Sequence, residues 1–188
     1  MWNLISNAGD AALTLPLAAL CAAWLACAQR RLAWHWLLAL AIGMALVGAT
    51  KILHAGCGTE VAPLGFRVIS GHTTLATAIW PTLLGLFSYA LARRPAPGAV
   101  LGLAIGALIG VARVFDHSHT VSEVIAGWLL GCIVAVPSLR ALARGGLRLP
   151  HAWAAALIAA LILVAFYGHH APFEVMINRY AAGLCARV

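Results

Sequence analysis

A histidine and a carboxylate lie four residues apart in the segment ARVFDHSHTVSE, shortly after an arginine. If a helix begins near His119, its ring and the carboxylate of Glu123 project from one face of that helix. Glu123 then accepts a hydrogen bond from one ring nitrogen, which fixes the tautomer and leaves the other nitrogen free to attack. The guanidinium of Arg113 can donate two hydrogen bonds to one phosphoryl group. His119 alone would be interpreted as an interfacial polar residue, but this arrangement favours a nucleophile for phosphoryl transfer.

The tripeptide Ser70-Gly71-His72 precedes a long apolar run that begins at Thr73. A loop that ends at a helix N-terminus presents free N–H groups and the positive end of the helix dipole, and such an end binds phosphate. Gly71 lets the backbone approach an anion closely, and Ser70 can donate a hydrogen bond to it. The same tripeptide is equally typical of a simple helix cap, so both interpretations stay open from these residues alone.

Lys51 is the sole lysine of the chain, since all the other strongly basic residues are arginines. Either it has a specific role or it is a snorkelling lysine at the membrane interface. Arg67 precedes Ser70 by three residues, and its contact with a phosphate stays open. Phosphoryl transfer through a phosphohistidine requires such a set of groups: cations and two histidines, here His72 and His119. Cations neutralise the phosphoryl oxygens, one imidazole attacks, and the other protonates the leaving oxygen.

The elements that must position these residues are membrane-spanning helices. Of the 188 residues, 63% are hydrophobic and 9% are charged, and the mean hydropathy is +0.95. A soluble domain is about 45–50% apolar and about 25% charged, so a soluble globular protein and a disordered tail are excluded. A nucleic-acid-binding domain is excluded too, because the basic residues behind the net charge of +7 are scattered.

Six apolar runs approach the length of about 20 residues that a bilayer requires. The sequence therefore predicts an all-α, polytopic membrane protein, a bundle of six transmembrane helices that forms one domain over residues 1–188. The predicted spans are Ala11–Ala28, Leu32–Leu53, Thr73–Ala92, Gly98–Arg113, Thr120–Leu142 and Ala152–Gly168.

The charges of the connecting segments predict the orientation of the bundle. The connections after the first, third and fifth runs are the richer in arginine, and the positive-inside rule places them in the cytoplasm. Both termini and the loops 51–72 and 113–120 then lie outside. No Lys or Arg precedes the first run, so we expect this segment to remain as a membrane anchor and not to be cleaved.

The cysteines and the tail are less informative. No CxxC pair occurs among the five cysteines, which argues against a zinc or iron–sulfur site, and no metal or cofactor is expected. Cys57 and Cys185 are both predicted to lie outside, where disulfides persist, so a bridge and two free thiols are alternatives. A short amphipathic helix on the outer leaflet, which anchors the tail or shapes substrate entry, is predicted from Phe173, Met176, Ile177, Tyr180 and Leu184.

Taken together, these motifs resemble those of the phosphatidic acid phosphatase type 2 superfamily, which includes bacterial membrane lipid phosphatases. That family carries, in order, a lysine followed by arginine-proline, then PSGH, then SR-x5-H-x3-D. The chain has Lys51 with Arg67, then ISGH at Ile69–His72, then AR-x5-H-x3-E at Ala112–Glu123, all within a core of residues 51–142. It departs from the pattern where isoleucine replaces proline, alanine replaces serine and glutamate replaces aspartate, and no proline follows Arg67.

The resemblance implies a role for each matching residue. His119 would be the nucleophile, Glu123 its orienting carboxylate and His72 the general acid. The phosphoryl group would be bound by Lys51, Ser70, Gly71 and Arg113, with Arg67 as a further candidate.

The resemblance also implies a metal-independent phosphatase of the bacterial inner membrane, with its active site at the periplasmic face. Its partners would be the bilayer and a lipid substrate: undecaprenyl pyrophosphate, phosphatidylglycerol phosphate, phosphatidic acid or the 1-phosphate of lipid A. The alternatives are a lipid phosphotransferase that uses the same phosphohistidine, a haem-binding or transport protein, and a family member without catalysis. The sequence does not fix the oligomeric state.

Overall fold

The computed structural model describes residues 2–181 and residue 185, and its secondary structure is helical. Between residues 2 and 181, one 3₁₀ turn, Ala62–Leu64, interrupts the succession of α-helices. Among these residues there is no β-strand, only an isolated bridge between Val61 and Phe66. The helices are α1 Trp2–Asn7, α2 Ala11–Ala28, α3 Arg30–Cys57, α4 Gly71–Ala92, α5 Ala96–Phe115, α6 Val121–Ala143, α7 Ala152–Phe166 and α8 Phe173–Ala181.

The predicted all-α membrane fold is confirmed. The stretch Trp2–Ala28, which α1 and α2 share, and the helices α3, α4, α5 and α6 are each long and apolar enough to cross a bilayer. The sixth predicted span is α7, a shorter apolar helix of 15 residues. Helix α2 has the predicted bounds, whereas α3 extends beyond Leu32–Leu53 because nothing ends it before Gly58, which adopts the left-handed conformation at φ 65°.

Helix α4 is the central helix of the bundle, and most of its side chains are buried. Helix α5 packs against it along a row of glycines spaced four residues apart, which includes Gly102 and Gly106. A Cβ atom at Gly102 would lie only 2.3 Å from the backbone nitrogen of Pro81. Only glycine therefore allows the two helices to approach this closely, as is typical of helix packing in membranes.

Four helix ends meet at one end of the bundle: the end of α3, the start of α4, the end of α5 and the start of α6. The backbone N–H of Ser70 donates to the carbonyl of Glu123 over 3.2 Å and joins the start of α4 to α6. The connections that follow α4 and α6 meet at the opposite end, where Nη1 of Arg93 donates to the carbonyl of Leu147 over 3.0 Å. The predicted outer and inner loops thus lie at different ends of the molecule.

The predicted amphipathic tail helix is present as α8, which packs on α3. Cys57, the last residue of α3, forms a disulfide with Cys185. Of the two alternatives for these cysteines, the structure therefore shows the bridge. Leu184, which was predicted for the same helix, lies outside the described residues.

Candidate active site

A buried histidine–carboxylate pair lies at the start of α6. Nδ1 of His119 is 2.8 Å from Oε2 of Glu123, the contact that their spacing predicted. The two side chains are only 5% and 0% exposed. Because Nδ1 faces the carboxylate, Nε2 on the other edge of the ring is the nitrogen left for chemistry.

The same carboxylate begins the helix. Thr120 is the N-cap of α6, and its hydroxyl accepts the N–H of Glu123 over 3.4 Å. The Glu123 carboxylate accepts the N–H of Thr120 over 3.1 Å in return, which completes a capping box. The preceding turn is fixed by the N–H groups of Ser118 and His119, which both donate to the carbonyl of Arg113. Local sequence thus sets the start of the helix and the position of the imidazole together.

The second oxygen of Glu123 holds the loop that precedes α4. Oε1 accepts the backbone N–H groups of Arg67 and Val68 over 3.0 and 3.3 Å, and Nε of Arg67 over 3.3 Å. The structure therefore brings Arg67 beside His119 through an ion pair with Glu123. The sequence did not predict this ion pair, and the contact of Arg67 with a phosphate stays a prediction.

A polar cavity of about 620 Å³ lies beside the pair. It is bordered by His119, by part of α8 and by three cations that the sequence singled out: Lys51, Arg67 and Arg113. Such a concentration of positive charge next to a buried imidazole favours the binding of an anion.

Two polar side chains hold Arg113 at the border of the cavity. Its Nη1 donates to Oγ of Ser6 over 3.3 Å and lies 3.5 Å from Oδ2 of Asp116. Its Nε is buried without a hydrogen-bond partner among the described residues. An unpaired buried N–H costs free energy, about 1–3 kcal/mol, so an acceptor brought by a ligand would stabilise this side chain.

The segment Ser70–His72 starts α4, as predicted, but it does not border the polar cavity as the structure describes it. Ser70 is the buried N-cap residue, and its hydroxyl lies 2.9 Å from Oγ1 of Thr73. This hydroxyl, expected to donate to a phosphate, is instead bonded within the first turn of α4. Gly71 and His72 border a second cavity.

The second cavity has a volume of about 290 Å³, is mostly apolar and lies between α2, α3, α4 and the start of α8. Lys51, Glu174 and Ile177 border both cavities. The two cavities are thus neighbours, with the Lys51–Glu174 ion pair between them. The apolar walls of the second cavity include Ala11, Leu15, Met44, Val47 and Leu75.

One comparison with known proteins assigns the chain to a family. A profile of the PAP2 superfamily matches residues 50–147, more than half of the chain. The chain belongs to the PAP2 superfamily. A curated relative from Klebsiella pneumoniae, an uncharacterized 22.5 kDa protein in the cps region, is 39% identical over 134 residues. The matched part is 69% of this chain and 64% of that protein, so the chain spans slightly less than two thirds of the relative's length.

No solved structure matches this chain. The PAP2 profile covers every site residue that the sequence predicted: Lys51, Arg67, Ser70, Gly71, His72, Arg113, His119 and Glu123.

Burial sets the protonation state of the imidazole in the third PAP2 motif. Burial lowers the pKa of His119 below its ordinary value of 6.5, and the hydrogen bond to Glu123 opposes this effect only in part. The charges of Arg113 and Lys51 lower the pKa further. His119 is therefore neutral at pH 7 and keeps the lone pair that an attacking nitrogen needs.

Asp10 is a site residue that sequence reasoning missed, and it lies outside the region of the PAP2 match. Its Oδ1 accepts the N–H groups of Ala12 and Ala171 over 2.8 and 3.0 Å. Its Oδ2 lies 3.1 Å from Nδ1 of His170 and 3.4 Å from Nε2 of His72. His72 therefore has a carboxylate partner, as His119 has. An aspartate before an apolar run predicts a helix cap, but nothing in its position indicates a partner in a distant motif.

Glu174 is the second missed residue. It lies at the start of α8, and its carboxylate is 2.6 Å from Nζ of Lys51. Burial raises the pKa of Glu174, but the hydrogen bond from Lys51 and the charges of Lys51, Arg113 and His72 outweigh this and hold the pKa below its ordinary value. The sequence showed only an acidic residue on an amphipathic segment.

Proposed function

We propose that this chain is an integral membrane phosphatase that hydrolyses a lipid phosphate or pyrophosphate through a phosphohistidine on His119. The observation that carries this proposal is the buried His119–Glu123 pair beside a cavity bordered by Lys51, Arg67 and Arg113. In the proposed reaction these cations neutralise the phosphoryl oxygens, a task that metal ions perform in many other phosphoryl-transfer enzymes.

In the first step Nε2 of His119 attacks phosphorus. A nitrogen–phosphorus bond forms while the bond between phosphorus and the leaving oxygen breaks. The leaving oxygen takes a proton from the imidazolium of His72 and departs. Glu123 stabilises the positive charge that develops on the His119 ring, because its carboxylate accepts a hydrogen bond from Nδ1–H.

In the second step water cleaves the phosphohistidine. Neutral His72 takes a proton from the water molecule, whose oxygen attacks phosphorus while the nitrogen–phosphorus bond breaks. Inorganic phosphate leaves, and both histidines return to their starting states. Asp10 acts here as a positioning residue, since its contact with Nε2 orients the ring of His72.

The apolar cavity supports a lipid as the substrate. His72 borders this cavity, so the group that it protonates would leave on the apolar side. Leu15 in its wall is also 40% exposed on the surface of the bundle, where lipid would lie. A lipid can then present its headgroup to the cations while its tail stays in the bilayer. The candidates are undecaprenyl pyrophosphate, phosphatidylglycerol phosphate, phosphatidic acid and the 1-phosphate of lipid A.

We place the site at the periplasmic face of the bacterial inner membrane. The arginine-rich connections lie at the opposite end of the bundle, and the Cys57–Cys185 bridge at the site end fits an oxidising compartment. Glu60→Cys and Arg144→Cys test this orientation. In intact cells an impermeant maleimide should label the first variant and not the second, and the reverse pattern would contradict the assignment.

Phosphate release from the four candidate lipids by the purified protein in nanodiscs tests the function. We expect the wild type to hydrolyse one of these lipids without an acceptor lipid and in the presence of EDTA. We expect the rate of His119→Ala to be lower by at least about 10³-fold. The matched control is His169→Ala, since His169 is exposed beyond α7. Full release by His119→Ala would refute the mechanism, and transfer of phosphate only when an acceptor lipid is added would identify a phosphotransferase.

A further inference from the structure

Helix α8 lies where the two cavities meet. Its residues Glu174 and Ile177 border both cavities, and Asn178 borders the polar one. The chain thus supplies part of the wall of its own candidate site from a segment outside the region of the family match, which ends at residue 147.

The carboxylate of Glu174 lies among the groups that the proposed reaction assigns to the phosphoryl group. It accepts a hydrogen bond from Lys51 over 2.6 Å, and the charges of Arg113 and His72 act on it as well. The other two cations already have carboxylates of their own, since Arg67 pairs with Glu123 and Arg113 with Asp116. Lys51 is the cation whose anion comes from α8.

Attachments on both sides hold α8 in this position. Before the helix, Asp10 bonds to His170 and to the backbone N–H of Ala171. After the helix, the disulfide joins Cys185 to Cys57, the last residue of the helix that carries Lys51. Glu174 is therefore presented to Lys51 by a segment that is fixed to the bundle near both of its ends.

We propose that Glu174 is an internal anion that competes with the substrate phosphoryl group for Lys51, and that the disulfide maintains this competition by holding α8 over the site. This proposal rests on the proposed function, because it takes Lys51 to be a phosphate ligand. A phosphoryl group that enters the site must displace the Glu174 carboxylate. Helix α8 therefore lowers the affinity of the enzyme for its substrate, and it does not change the rate of the chemical step.

Binding of inorganic orthovanadate or phosphate to the full chain in nanodiscs, measured by calorimetry, tests this competition without requiring turnover. Glu174→Gln removes the charge and keeps the shape of the side chain. A partly exposed ion pair contributes up to about 1 kcal/mol, so we expect this variant to bind either anion up to about fivefold more tightly. With a hydrolysed lipid, KM should fall by a similar factor while kcat stays within about twofold. Glu60→Gln is the matched control, since it removes the same charge from an exposed loop.

The disulfide gives an independent test. Dithiothreitol reduces the bridge to two thiols and is itself oxidised to a cyclic disulfide. Reduction of the wild type, or the double change Cys57→Ser and Cys185→Ser, should tighten phosphate binding toward the value of Glu174→Gln. Phosphate is the probe here because dithiothreitol reduces vanadate. The same treatment should have little effect on Glu174→Gln itself, because the competing charge is already absent.

The outcomes separate this proposal from the proposed function. If Glu174→Gln binds vanadate no more tightly than the wild type while the wild type hydrolyses a lipid, the competition is refuted and the function stands. Weaker binding by Glu174→Gln would show that Glu174 orients Lys51 for the ligand, which also overturns the competition. If neither protein binds either anion and no lipid is hydrolysed, the proposed function fails and this proposal fails with it.

Discussion

Replacement of Glu123 by glutamine should disable the site while leaving the bundle intact. All five groups around the Glu123 carboxylate act as donors: Nδ1 of His119, the N–H of Thr120, the N–H and Nε of Arg67 and the N–H of Val68. A glutamine amide offers one oxygen and one NH₂ group. In either orientation the NH₂ group therefore faces donors.

The magnitude follows from the two orientations of the amide. If the NH₂ group faces His119, Nδ1 must become the acceptor, so the proton moves to Nε2 and the attacking lone pair is lost. If it faces Arg67 and Val68, their N–H groups lose their acceptor, at about 1–3 kcal/mol for each buried donor. Loss of the charge also removes about 1.5–3 kcal/mol from the hydrogen bond to the developing imidazolium. Only this last contribution acts directly on the barrier, and about 1.5–3 kcal/mol corresponds to a rate lower by roughly 10- to 200-fold.

Phosphate release at saturating substrate measures this effect, and vanadate binding shows whether the cation cluster is still intact. Glu123→Asp is the control, because it keeps the charge and restores the family's residue, although the shorter side chain must move away from His119 or Arg67. We expect Glu123→Asp to be more active than Glu123→Gln. In a His119→Ala background, Glu123→Gln should add no further loss. Retention of more than a tenth of the wild-type rate by Glu123→Gln would refute this account.

Three further predictions concern other parts of the molecule. Asp10→Asn should lower kcat by about 10- to 100-fold and leave KM within about twofold, since the ring of His72 loses the carboxylate that orients it; an unchanged kcat would limit Asp10 to a structural role. In the wild type, kcat/KM should hold through pH 6.5 and fall only below it, because the lowered pKa of His119 keeps the attacking form neutral; an acid limb centred above pH 6.5 would contradict this. Gly102→Ala should cost about 1–3 kcal/mol of unfolding free energy, measured by denaturation in detergent, whereas Gly48→Ala, with no atom within 4 Å of the added Cβ, should cost far less.

The sequence predicted those parts of the site that depend on local spacing. His119 and Glu123 are one helical turn apart, and Thr120 precedes Glu123 by the interval of a capping box, so a helix in this segment is enough to bring them together. The apolar runs likewise predicted the spans to within a few residues, because the hydrocarbon thickness sets their length. Helix ends were less accurate where, as in α3, polar residues continue the helix beyond the apolar run.

Contacts across the fold could not be predicted from spacing. Asp10 reaches His72, and Glu174 reaches Lys51, only because the bundle packs the first and last helices around one end of α3 and α4. The spacing of residues in a single sequence does not indicate contacts between such distant positions. The role of Ser70 was open for a similar reason, since its rotamer depends on Thr73 and on its complete burial.

The Asp10 carboxylate, which is synthesised early, binds residues that are synthesised near the end of the chain. Its partners at positions 170 and 171 are 160 and 161 residues away along the chain. During synthesis, α2 and α4 can insert and meet early, but Asp10 acquires its last two donors only after α7 has crossed the bilayer. A chain cut short after α6 would hold His72 against a carboxylate that lacks half of its hydrogen bonds. Assembly of the candidate site is thereby tied to the synthesis of residues 170 and 171, and C-terminal truncations should be harmful even where they remove no residue of the three motifs.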